Sequence, residues 1–136
     1  MHPVEIAIPP GTAYVGIVRL AIASLARAAG FDEERVDEVR IAVSEACTNA
    51  VLANESAGSA ERISVGWSEE PDRIVVEVGD RGASSGAGEG NALDSQGFSS
   101  RLMMSVALIQ ELVDELSIDG RSGGGTTTRL SFSRAI

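Results

Sequence analysis

The spacing of apolar residues changes along the chain, and each change marks an element. Val4 to Ile8, VEIAI, alternates and is rich in β-branched side chains, which predicts a first strand closed by Pro9, Pro10 and Gly11. At Thr12 the period becomes helical. TAYVGIVRLAIASLARAAG carries Ala and Leu at helix spacing, with Thr12 as its N-cap and Gly30 as its stop. FDEERVDEVR opens a second helix behind Asp32, and its acidic first turn suits the positive end of the helix dipole. This helix is expected to reach about Asn54, where ESAGSA breaks the pattern.

Two alternating β-rich runs follow, ERISVGWSEE and DRIVVEVGD, joined by a turn at Glu70, Pro71 and Asp72 and read as a hairpin. From Asp80 to Ser100, DRGASSGAGEGNALDSQGFSS holds five Gly and five Ser with no apolar period, so it reads as a flexible loop. A loop that long inside a compact domain is more often a lid or binding loop than padding. SRLMMSVALIQELVDEL restores helical spacing, and LSIDG and TTTRLSFSR close the chain as two strands around Gly123 to Gly125. The order β-α-α-β-β-loop-α-β-β, with no repeat or linker, predicts one α+β domain over 1–136. Its form is a two-layer sandwich, a mixed and mostly antiparallel sheet of about five strands with about three helices on one face.

Composition narrows the chemistry. A chain of 136 residues, 43% hydrophobic and 23% charged, has the make-up of a folded domain rather than a disordered segment. No apolar run approaches the roughly 20 residues that span a bilayer, and MHPVEIAIPP lacks a basic start and a long apolar core, so a cytoplasmic protein without membrane partners is expected. The single cysteine, Cys47, lies among apolar helix residues and reads as a small buried hydrophobe. The single histidine, His2, sits at the terminus, which leaves little material for triads, histidine metal sites or histidine phosphorelay. A net charge of -9 argues against direct nucleic-acid binding, which draws on clustered cations.

The second helix carries the first chemical signal. At about 100° per residue, Val36, Val39, Val43, Ala46, Cys47 and Ala50 form one stripe, expected to face the sheet. Glu45 lies nearly opposite, and Asn49 lies one turn on. Two readings stay open on geometry: a solvated pair, or polar groups in a pocket whose apolar lining includes Ile41 and Leu52. Asp80, at the end of VEVGD and just before Gly82, is likewise either a turn residue or a carboxylate at a strand end where Gly admits a ligand.

The order of these features resembles the GHKL ATPase superfamily of gyrase, the heat-shock chaperones, MutL and the histidine kinases. More narrowly, RVDEVRIAVSEACTNAVLAN, VVEVGDRG, ELVDELSI and GGGTTTRLSF resemble the bacterial anti-sigma regulatory factors that are serine-protein kinases. The resemblance implies the histidine-kinase-like fold with an ATP lid at about 80–100, and a role in transcription regulation and stress response. Its implied partners are a sigma factor and a STAS-type anti-sigma factor antagonist, with ATP and Mg2+ as cofactors and a homodimer as the assembly. It casts Glu45 as general base and Asn49 as the Mg2+ ligand beside ATP. Asp80 would accept from the adenine amino group, with Gly82 giving the base room, Gly97 in the lid glycine segment and Thr126 supporting the adenine contact. The apolar first helix, through Tyr14, Ile17 and Leu20, either contributes to the dimer or packs on the sheet.

The sequence departs from the family pattern at the end of the lid, where Gly-x-Gly-Leu is expected. Aligning GFSSRLM keeps Gly97 and the Leu102-Met103 pair but sets Ser99 and Ser100 at the later positions. Counting back from Leu112 keeps Leu108 and Ile109 but sets MMSV where the glycines belong. Ser84 also replaces the second glycine of Asp-x-Gly-x-Gly. Three readings follow: an ATP-dependent serine/threonine kinase, a kinase-inactive module of the same fold that sequesters a sigma factor or antagonist, or an unrelated small α/β domain.

Overall fold

The computed structural model describes residues 3–81 and 95–134, the side chains of the second block from residue 100 onward. Strands β1 (Val4–Ile8), β2 (Ile63–Glu69), β3 (Arg73–Asp80), β4 (Glu115–Gly120) and β5 (Thr126–Ser133) form one sheet in the order β1-β2-β3-β5-β4. Helices α1 (Val15–Ala28), α2 (Glu33–Ala57) and α3 (Ser95–Leu112) complete the two-layer sandwich. Every pairing is antiparallel. The crossover through α3 makes β3 and β4 parallel to each other, but β5 inserts between them, so the expected mostly antiparallel sheet contains no hydrogen-bonded parallel pair.

Period-two alternation sets the inner face of the sheet. Ile63, Val65 and Trp67 of β2 and Ile74, Val76 and Val78 of β3 are buried with Leu130 and Phe132 of β5. The predicted stripe of α2 is buried along its whole length, from Val36 and Val39 through Val43, Ala46 and Cys47 to Ala50. Asp32 caps this helix, accepting from Arg35 N at 2.8 Å, and the helix runs three residues beyond Asn54 to Ala57, where Gly58 ends it in the left-handed region.

Three expectations change. Thr12 caps no α-helix: Thr12–Tyr14 is a 3-10 turn without a side-chain cap, and α1 begins at Val15. Ser95 to Ser100, read as loop, belong to α3. Gly97 stands in the first turn, where a glycine costs less than the roughly 1 kcal/mol of a helix interior. The other end of α3 is anchored to α2, where Arg35 donates to Leu112 O at 2.8 Å, pairs with Asp114 and stacks on Phe132. Finally, Tyr14, Ile17 and Leu20 do not pack on the sheet. They are exposed at 41%, 56% and 75%, while Val15, Val18, Ile22 and Ala26 make the buried side of α1.

Candidate functional site

Helix α2 runs past both parts of the candidate site. In its middle, Glu45 and Asn49 are half-buried, and between them sits Ser105 of α3, 6% exposed. Ser105 Oγ donates to Glu45 Oε1 at 2.7 Å and accepts from Asn49 Nδ2 at 2.8 Å. A hydroxyl has one proton and a carboxylate can only accept, so the network fixes the Asn49 amide with its nitrogen toward Ser105 and its oxygen turned away. Glu45 and Asn49 are thus part of a helix-helix contact, not a solvated pair.

Near the other end of α2, Asn54 is fully buried. Its Oδ1 accepts from Arg81 N at 3.0 Å and its Nδ2 donates to Glu61 O at 2.8 Å. One amide therefore fastens the helix to the residue that follows Asp80 and to the chain entering β2. Asp80 continues the inward phase of Ile74, Val76 and Val78, which places its carboxylate on the helix-covered side of the sheet, 5% exposed.

The strand end at Asp80 is held from the opposite side by the β4–β5 turn. Asp80 pairs with Thr126 across the ladder. Arg121 Nη1 donates to Asp80 O at 3.1 Å, and Arg81 Nη1 donates to Ser122 O and Gly124 O at 2.8 and 3.0 Å. Gly125 has a φ of +97°, and a Cβ there would lie 2.0 Å from Asp80 O. Only glycine permits this backbone approach. Thr126, the residue after it, is half-buried beside Asp80.

Of the expected site residues, Glu45, Asn49, Asp80 and Thr126 lie on elements that α2 joins. Gly82 lies outside the described residues, as does Ser84. Gly97 falls in the first turn of α3, about 12 Å along the helix axis from Ser105. The segment facing the Glu45–Asn49 pair is therefore the MMSV segment, as the register counted back from Leu112 has it. Ser105, Asn54, Arg81 and Gly125 were not singled out from sequence. Two had a signal: Asn54 lies four residues beyond Ala50 on the buried stripe of α2, and Ser105 interrupts the apolar spacing of Leu102 and Ile109.

Elsewhere on α2, Cys47 is inert by environment. Burial pushes its thiol up to about 12. Among the described residues there is no group of three or more His, Cys, Asp and Glu placed to hold a metal ion, and no helix long and apolar enough to cross a membrane.

Comparison with known proteins agrees with this architecture. The chain is 40% identical to the serine-protein kinase RsbW of Bacillus velezensis and 36% identical to that of Bacillus subtilis. Each match extends over 81 residues, 60% of this chain and 51% of the relative, so the chain matches about half the length of these curated relatives. Among solved structures, the RsbU and RsbW domains of a Mycobacterium tuberculosis protein superpose with a TM-score of 0.70 at 21% identity, over 98% of this chain and 33% of that one. The SiaB–SiaC complex of Pseudomonas aeruginosa gives 0.65 at 12% identity, over 96% of this chain and 89% of that one. These two likenesses concern the fold. Residues 8–132 match the histidine kinase-like ATPase domain, and the chain belongs to that family.

Proposed function

We propose that this chain is an anti-sigma regulatory factor that binds a sigma factor and uses ATP with Mg2+ to phosphorylate a serine or threonine of a STAS-type antagonist. The observation that carries the reading is the layout of α2. It holds a carboxylate and an amide one turn apart against α3, and its Asn54 is tied to the strand end that bears Asp80. From Asn54 back to Asn49 and Glu45 is about 7 to 13 Å along the helix, a span suited to a nucleoside triphosphate with its base at Asp80.

The residues have distinct tasks. Glu45 is the general base that would take the proton of the acceptor hydroxyl as its oxygen bonds to the γ-phosphorus and the bond from that phosphorus to the bridging oxygen breaks, releasing ADP. Asp80 accepts from the adenine amino group. Thr126 supports that contact, and Gly82 and Gly97 complete the nucleotide-binding set. The donor set suits a magnesium ion that arrives with its nucleotide: Asn49 offers one hard amide oxygen, and Mg2+ takes most of its octahedral shell from phosphate and water. When bound, the ion neutralises phosphate charge. A homodimer and a cytoplasmic location belong to the same proposal, with the exposed Tyr14, Ile17 and Leu20 stripe as the candidate contact surface.

A second reading has one observation in its favour. Ser105 fills the space between Glu45 and Asn49, as a module that binds partners without turning over ATP would allow. Titration calorimetry with ATP and Mg2+ separates the two, because the kinase must bind nucleotide. Glu45→Ala is then expected to cut phosphate transfer to a STAS-domain antagonist by about 10²-fold or more and leave nucleotide affinity unchanged, since a base acts on the transition state. Equal loss of both, or no heat with ATP, rejects the assignment.

A further inference from the structure

Three features make the Ser105 contact more than a helix-packing detail. The hydroxyl is almost fully buried on the inward stripe of α3, with the buried Ile109 one turn later. Its proton points to Glu45, and its oxygen lies 2.7 Å from the carboxylate. It also accepts from the Asn49 amide, which lies one turn from Glu45 on α2. A serine hydroxyl donating to a carboxylate at this distance has the geometry an acceptor needs before a general base removes its proton.

We infer that the space between Glu45 and Asn49 is the subsite for the acceptor hydroxyl, and that Ser105 is its resident occupant, a surrogate for the serine or threonine that a target presents. The inference rests on the kinase reading of the same site. An incoming hydroxyl takes the place between Glu45 Oε1 and Asn49 only after Ser105 turns its side chain away or α3 shifts. The occupant is tethered, so it competes at high effective concentration. Apparent turnover is reduced by the fraction of molecules in which the subsite is open. One hydroxyl on α3 thereby sets the basal rate.

The probe that needs no identified target is Mg-ATP itself, with water as the acceptor. Ser105→Ala removes the hydroxyl and keeps a good helix former. It is expected to raise ATP hydrolysis by the isolated chain about tenfold, the scale of losing a hydrogen bond to a charged group. Nucleotide affinity is expected to stay constant. Ser105→Thr keeps the hydroxyl and the low rate, and Ser105→Ala combined with Glu45→Gln abolishes the gain. A purely structural role predicts equal or slower hydrolysis in Ser105→Ala, and that result overturns the inference.

A second measurement stands apart from catalysis. In nucleotide-free protein, NMR is expected to show slow hydrogen exchange at the Asn49 side-chain amide and a clear acceleration in Ser105→Ala. Equal exchange in the two proteins overturns the inference even for a chain that binds no ATP. Failure to bind ATP, with the exchange difference present, removes the kinase reading and leaves the occupancy established.

Discussion

The two ends of the candidate site are built in opposite ways. At the Asp80 end, many contacts converge on main chain: the Asn54 side chain bonds two main-chain groups, the Arg81 and Arg121 side chains bond three carbonyls, and Gly125 lies against Asp80 O. At the Glu45 end, the contact between α2 and α3 runs through one hydroxyl and two side chains. A left-handed glycine packed on a carbonyl and braced by five hydrogen bonds admits one arrangement, whereas a contact through a single hydroxyl can be exchanged by a rotamer change. Under the proposed kinase reading this is a division of labour, with a rigid end for the base and a phosphate end whose occupancy can change.

Gly125→Ala tests the rigid end most severely. A methyl group cannot coexist with Asp80 O at 2.0 Å, and the positive φ adds strain, so a loss of more than about 3 kcal/mol in urea melts is expected. A loss below about 1 kcal/mol would show that the turn yields and that the contrast between the two ends is overstated. Asn54→Ala is next. It leaves the Arg81 amide and the Glu61 carbonyl without their partner, for about 2 to 4 kcal/mol. Loss of nucleotide binding at temperatures where this variant stays folded would tie Asn54 to the placement of Asp80.

The smallest effect concerns Cys47, in the core beneath both ends. Its folded value of about 12 exceeds the ordinary 9.0, so its stabilising contribution is complete below pH 9 and falls as pH rises toward 12. At pH 8 an exposed-thiol reagent is expected to label it only through opening of α2. Rapid labelling of native protein would mean that α2 is looser than either of the ends it connects.

Much of this arrangement was legible along the chain. Alternation fixed which faces of β2 and β3 turn inward, and the same phase carried Asp80 to the helix side. The 3.6-residue stripe from Val36 to Ala50 oriented α2 and left Glu45 and Asn49 off the core. The start of α3 was not legible, because Ser, Gly and Gln in SQGFSS favour loop locally, and the contacts that anchor the helix, from Arg35 to Leu112 and Asp114, lie at its far end. Nor could spacing choose between packing and exposure for Tyr14, Ile17 and Leu20, since both sides of α1 are apolar and the buried side depends on where α2 lies.

The sequence by itself determined the element order, the inner faces of the sheet and the residue types of the site, because these follow from local periodicity and side-chain chemistry. Only the tertiary structure decided that Asn54 bridges α2 to the strand end, that Gly125 lies against Asp80 O, and that Ser105 stands between Glu45 and Asn49. Those contacts join residues 27, 45 and 56 or more positions apart. No local pattern encodes them, since they exist only once the helices and strands have packed.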